Sequence, residues 1–149
     1  MRRVLFAVIS AVALALAMAG CSGNDVPDMS QAQVYEILDS ESYPAPDDKG
    51  RYKIIIYSRD AKTFEQRAQT AIKAAVDFQK KKNAYEVIVW LEALPKVSER
   101  VAIAEYYPFK KSSWGNDKEY IWLVEGSGYE VRGSELNPMD ILLNVYLHQ

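Results

Sequence analysis

The sequence predicts an α+β fold. The expected architecture is a two-layer sandwich: a mostly antiparallel sheet of four to six strands, one long helix packed on it, and a C-terminal helix. Three observations lead there. Short runs rich in β-branched and aromatic residues recur between short connections, and strands joined in that way pair antiparallel. One segment near the middle carries an alanine-rich apolar stripe at helical spacing, which suits close packing on a sheet. The chain has 149 residues, 49% of them hydrophobic, enough for one core without metals or disulfides.

Taken in order, residues 33–39 (QVYEILD) alternate enough for a first strand, and the proline- and aspartate-rich residues 40–50 read as a loop. Residues 51–57 (RYKIIIY) form a second strand. Ile54 and Ile56 share one face and Ile55 and Tyr57 the other, the pattern of a central strand. Residues 60–83 are the best helix. Thr63 and Gln66 have the spacing of a capping box. Phe64, Ala68, Ala71, Ile72, Ala75 and Phe78 fall on one stripe. Lys80, Lys81 and Lys82 suit the negative end of the helix dipole, and Asn83 suits a left-handed stop. Strands follow at 85–91, 100–107 and 119–125, and Gly126-Ser127-Gly128 turns the last into a short sixth at 129–132. Asn137, Pro138 and Asp140 make a helix start, so the closing MDILLNVYLHQ is expected to be helical.

The first 21 residues fit no element of this fold. Arg2 and Arg3 precede residues 4–18, apolar except for Ser10. That run has the length of a signal-peptide core and falls short of the roughly 20 residues of a membrane span. Met18-Ala19-Gly20-Cys21 resembles the bacterial lipobox. The resemblance implies cleavage between Gly20 and Cys21, a thioether-linked diacylglycerol on Cys21 and a further N-acyl chain such as palmitate. One acyl chain holds a protein only marginally, whereas two or three anchor it stably. Ser22, where an aspartate would retain the protein in the inner membrane of enteric bacteria, implies delivery to the outer membrane, facing the periplasm. An ordinary secretory peptide cut after Ala19 is the alternative. The expected organisation is a signal peptide over 1–20, the lipidated cysteine and a flexible tether over 21–32, and a single domain over 33–149. The tether's mean reach is on the order of 20 Å.

Charge and composition narrow the chemistry. Lys and Arg number 18 against 20 Asp and Glu, and loss of the leader with its two arginines takes the net charge from −2 to about −4. A mildly acidic surface disfavours nucleic acid as a partner. Cys21 is the only cysteine and His148 the only histidine, so no zinc or copper site is expected. There is no G-x-S-x-G, and Gly126-Ser127-Gly128 is too short to cradle phosphate. Asp47-Asp48 lacks the spacing of a calcium loop. Glu105, Glu119 and Glu125 remain as carboxylates that can converge for glycosidase work, but are equally expected on a solvated sheet face. The expectation is therefore no catalytic residue, no metal and no cofactor.

The run TFEQRAQTAIKAAVDFQKKKNAYEVIVWL, followed by VAIAEYYPFKKSSW, resembles an uncharacterised family of domains of unknown function. Its members occur in bacterial lipoproteins and mobile-element-associated proteins. The resemblance spans residues 34–115 and implies fold and location without a mechanism. Ten Tyr, three Trp and four Phe are the least ordinary feature. Tyr107, Phe109 and Trp114 gather around one loop as candidate interaction residues, with Lys110 and Lys111 placed to meet an acidic partner. The first expected function is a non-enzymatic protein-binding module on a lipid anchor. One alternative is a cell-wall glycan-binding or weakly hydrolytic domain. Another is a surface or exclusion lipoprotein of a mobile element.

Overall fold

The computed structural model describes residues 26–45, 49–112, 116–131 and 141–149. Gly20, Cys21, Asp47, Asp48, Trp114 and the helix start at Asn137 lie outside them. The elements are β1 (Glu36–Tyr43), β2 (Arg51–Tyr57), α1 (Phe64–Lys82), β3 (Glu86–Glu92), β4 (Arg100–Tyr106), β5 (Trp122–Gly126) and β6 (Asn144–His148). They build one six-stranded sheet in chain order, with α1 packed on one face against β3, β4 and β5. β2 and β3 run parallel, because α1 carries the chain back between them. The other four neighbouring pairs are antiparallel.

α1 begins and ends where its residues dictate. Thr63 accepts from the Gln66 N–H while Gln66 accepts from the Thr63 N–H, so both halves of the capping box are made. Asn83 closes the helix in the left-handed region at φ 49°. Ala68, Ala71, Ile72, Ala75 and Phe78 are all buried, as the stripe requires. They meet Ile54 and Ile56 of β2, Val87, Val89 and Leu91 of β3, Ala102 and Ala104 of β4, and Trp122 and Val124 of β5. Alanines on both layers let the helix lie close to the sheet. At the end of β5, Gly126 leaves space that a Cβ would contest with the Phe64 ring at 3.2 Å.

Several boundaries differ from expectation, each for a tertiary reason. β1 starts at Glu36 and runs to Tyr43, because it pairs along the whole of β2 from Tyr57 back to Arg51. The last residues of the expected tether and the first of the expected domain are held by α1. Gln31 N–H donates to Gln69 Oε1 at 2.7 Å and Gln33 N–H to Thr70 Oγ1 at 2.9 Å, so residues 31–33 are fastened to α1. The expected strand at 129–132 is not formed at 129–131: the Arg67 guanidinium donates to the Ser127 and Tyr129 carbonyls instead.

The C-terminal helix is the main correction. Asn144–His148 is a strand, β6, paired antiparallel with β5. The apolar spacing of this segment fits a helix, but β5 offers an open edge and Val145 and Tyr146 favour strand geometry. Gln149 extends the pairing: its N–H donates to Trp122 O at 3.0 Å, and its carbonyl accepts from Ile121 and Trp122. Tyr146 then packs edge-on to Phe64 at 5.4 Å and its hydroxyl accepts from Gln69 Nε2 at 2.9 Å. Ladder and packing together outweigh local helical preference.

Candidate functional site

One end of the sheet gathers the aromatic and basic residues. β2 begins there at Arg51, opposite Tyr43 and Glu86, and β4 ends there at Tyr106, opposite Val87. α1 delivers its last turn, the exposed Lys80, Lys81 and Lys82, to the same end, because Asn83 and Ala84 lead directly into β3. Tyr85 N–H donates to Gly50 O at 2.9 Å and locks this junction to the start of β2.

Phe109 stands on this end with 45% of its surface exposed. Its ring stacks on buried Tyr85 at 5.4 Å and 27°, and Lys49 Nζ lies 4.4 Å from its centroid. The loop that presents it is tightly closed. Lys110 adopts φ 51° and its N–H donates to Tyr107 O at 3.0 Å; Lys118 N–H donates to Lys110 O at 2.8 Å; Lys111 bridges Asp117. Lys110 and Lys111 are exposed beside Phe109. This is a braced aromatic side chain with one ammonium group over its ring, an arrangement that adds contact area at small entropic cost.

Tyr107 does not share that exposure. It is 3% exposed, so its ring cannot itself meet a partner, which corrects its place in the expected surface. It shares the side of β4 that carries Glu105, opposite the α1-facing Ala102 and Ala104, and is covered there by the Tyr120 ring at 5.6 Å and by Lys118. The Glu105 carboxylate accepts from Tyr107 and Tyr120 hydroxyls, both at 3.0 Å. Lys118 Nζ lies 4.5 Å from the Tyr107 ring and 5.4 Å from that of Tyr120. His148, in β6, packs edge-on to Tyr120 at 5.0 Å. Arg51 pairs with buried Glu86 at 3.0 Å in the same neighbourhood. Sequence reasoning missed Lys49, Tyr85, Lys118 and Tyr120 here. The β4–β5 register, which sets Glu105 opposite Leu123 and Tyr106 opposite Trp122, brings Tyr120 to Glu105, and the bond from Tyr85 to Gly50 brings Tyr85 beside the chain at Lys49.

Burial, and after it the Glu105 charge, pushes the Tyr120 phenol up to about 12 and raises that of Tyr107 further. Both phenols therefore hold their protons in the fold through a range where an unfolded tyrosine, near 10, has lost its own. The unfolded chain binds fewer protons in that window, so stability is full below pH 10 and is lost as pH rises toward 12. Tyr120→Phe should move the alkaline unfolding midpoint upward. An unchanged midpoint, followed by phenolate absorbance and circular dichroism, would show that this cluster does not govern alkaline stability.

The sheet face away from α1 carries a second aromatic feature. Trp90 lies between two cations, with Lys53 Nζ 4.6 Å and the Arg100 guanidinium carbon 4.1 Å from its ring. Lys53 also pairs with Glu41 at 2.7 Å. The three candidate carboxylates do not converge on one point. Glu105 is held by two phenols, Glu125 lies in the next row opposite Ile103, and Glu119 is exposed ahead of β5. Among the described residues, no group of three His, Cys, Asp or Glu is placed to hold a metal ion, and no helix is long and apolar enough to cross a membrane.

Comparison with known proteins agrees with this architecture. A crystal structure of a DUF487 family protein from Desulfovibrio piger is similar, with a TM-score of 0.58 and 24% identity over 66% of this chain. The chain spans 65% of that protein's length, and the likeness concerns the fold. No curated protein matches in sequence. The model of a domain of unknown function, DUF4875, matches residues 30–140, which carry β1 to β5 and α1, and the chain belongs to that family.

Proposed function

We propose that the chain is an envelope lipoprotein whose domain is a non-enzymatic module for binding a protein partner with an acidic surface. Phe109 carries this reading: an exposed ring, stacked from below by Tyr85, sits among exposed lysines on a chain whose net charge is negative. A rigid aromatic side chain at the centre of a contact contributes most of the binding energy in typical interfaces. Lys49 over the ring, Lys110 and Lys111 next to it in the chain, and Lys80 and Lys81 in the last turn of α1 steer an acidic surface toward this end and set which partners are rejected. Glu105, Tyr107 and Tyr120 support the loop from beneath, as a rigid contact requires.

The leader supports the location. Cleavage before Cys21 and acylation of that residue give two or three chains at about 0.8 kcal/mol per buried CH₂, a stable hold on the outer membrane. The domain then faces the periplasm.

A photo-crosslinking residue in place of Phe109 in living cells tests the surface. One dominant adduct is expected, weakened when Lys110 and Lys111 are both changed to glutamate. An adduct pattern indifferent to those charges would remove this surface from the function. In the same cells Cys21→Ser should move the protein into the soluble fraction, and a membrane-retained Cys21→Ser protein would overturn the anchor.

A further inference from the structure

The other end of the domain has a surface of different chemistry. β1 begins there at Glu36, opposite Tyr57, the last residue of β2, and α1 begins there as well. The chain arrives at this end through residues 26–35, and it arrives fastened. Besides the bonds from Gln31 and Gln33, the Ser58 hydroxyl donates to Val34 O at 2.7 Å and the Tyr35 hydroxyl to Asp77 at 3.0 Å. Asp28 closes its own turn by accepting from Ser30 N–H at 2.9 Å and lies 3.4 Å from Gln69 Nε2.

Those bonds set a distance. Only residues 22–27 separate Cys21 from Asp28, and seven steps of chain span at most about 24 Å when fully extended. As a flexible coil the mean separation is roughly 15 Å. A lipid on Cys21 therefore holds this end of the domain against the headgroup layer.

The side chains at this end suit that position. Val26 is 53% exposed, Val34 84%, Ile37 45% and Leu38 38%. Half of the exposed large apolar side chains among the described residues fall in this one stretch beside the anchor. Val34 forms a ridge between two shallow clefts of about 280 and 260 Å³, with Tyr35 common to both. The register shift between Ile37 and Asp39 bends the start of β1, which disfavours its use as a plain edge for another strand. Glu36, Asp39, Asp60 and Asp77 outnumber Arg59 and Lys73 here, so the matching surface has zwitterionic rather than anionic headgroups.

We infer that the end bearing Val34, Ile37 and Leu38 rests on the zwitterionic leaflet that holds the Cys21 lipid, so that the Phe109 end points away from the membrane. This rests on the lipoprotein reading. Four apolar side chains bind a bilayer weakly by themselves, but a tether this short gives a millimolar effective concentration, at which a weak contact is well populated. β2 separates the two ends by roughly 23 Å, which lifts Phe109 clear of the headgroups.

The test uses the mature lipidated protein in vesicles of phosphatidylethanolamine and phosphatidylcholine. With Cys21 acylated, Val34→Cys and Lys81→Cys each provide one free thiol for a fluorophore. Nitroxide lipids are expected to quench the label at 34 several-fold more than the label at 81, while aqueous iodide shows the reverse order. Co-sedimentation with equal lipid quenching at both positions would overturn the docking alone. A label at 34 shielded from both quenchers would mean that protein covers this end, and would overturn it too. Failure of the unlabelled protein to co-sediment any better than Cys21→Ser would overturn the anchor and the docking together.

Discussion

Arg67→Met should destabilise the domain by about 4 kcal/mol, read as a shift of the urea unfolding midpoint followed by tryptophan fluorescence. Arg67 is 2% exposed. Its Nε donates to Ala61 O at 3.2 Å, and its Nη1 donates to Ser127 O at 2.7 Å and Tyr129 O at 2.6 Å. One planar group thus satisfies carbonyls from the segment before α1 and from the segment after β5. Methionine fills most of the volume and supplies no donor, leaving three acceptors without the cation. A lost bond to a charged group costs about 1.5–3 kcal/mol, and the relief of not burying the guanidinium offsets part of the sum. Burial lowers the Arg67 pKa, in keeping with that desolvation cost. Arg67→Lys should fall between the two, because an ammonium on a flexible stem does not reproduce the fork. A methionine variant within 1 kcal/mol of the parent would show that the three carbonyls find other donors.

Trp122→Ala should cost a similar amount, about 4 kcal/mol, from a different cause. Trp122 is 1% exposed and stacks on Tyr106 at 4.0 Å and 9°. Removing the indole opens a cavity beneath α1 and deletes the stack, itself worth about 1 kcal/mol. Trp122→Phe keeps a ring against Tyr106 and should lose less than half as much. The backbone of Trp122 exchanges two bonds with Gln149 at 3.0 Å, so amide exchange in β6 should rise first. Exchange that rises uniformly along the sheet would contradict this local account.

The parts legible in the sequence are those fixed by neighbours along the chain. α1 was readable because its cap, its stripe and its stop all lie within twenty-odd residues: Thr63 with Gln66, the alanines, Asn83. β2 and β3 were readable from unbroken β-branched runs. What escaped depends on distant partners. The parallel pairing of β2 with β3 is a property of the α1 crossover, not of either strand. Residues 144–148 satisfy two periodicities, and only the open edge of β5 decides between them. At the candidate site Phe109 was visible as a loop aromatic. Tyr107, two residues earlier, carries the same sequence signal, but Tyr120 and Lys118, brought in from beyond the loop, cover it. Tyr120 and Lys118 join that cluster through backbone bonds between residues distant in the chain, Lys118 to Lys110 and Tyr107 to Ile121.

Gln69 sits where the N-terminal segment and the last strand meet: its carbonyl takes the Gln31 N–H, and its amide donates to the Tyr146 hydroxyl of β6. A pull on the N-terminal segment therefore enters the domain in the first third of α1 and not at the first rung of the β1–β2 ladder. The load is shared between a buried helix and the far edge of the sheet, so the hairpin does not unzip strand by strand. The Gln69 clasp is the first of the fastenings such a load meets, and Gln69→Leu should lower the unfolding force while leaving the sheet's own hydrogen bonds in place.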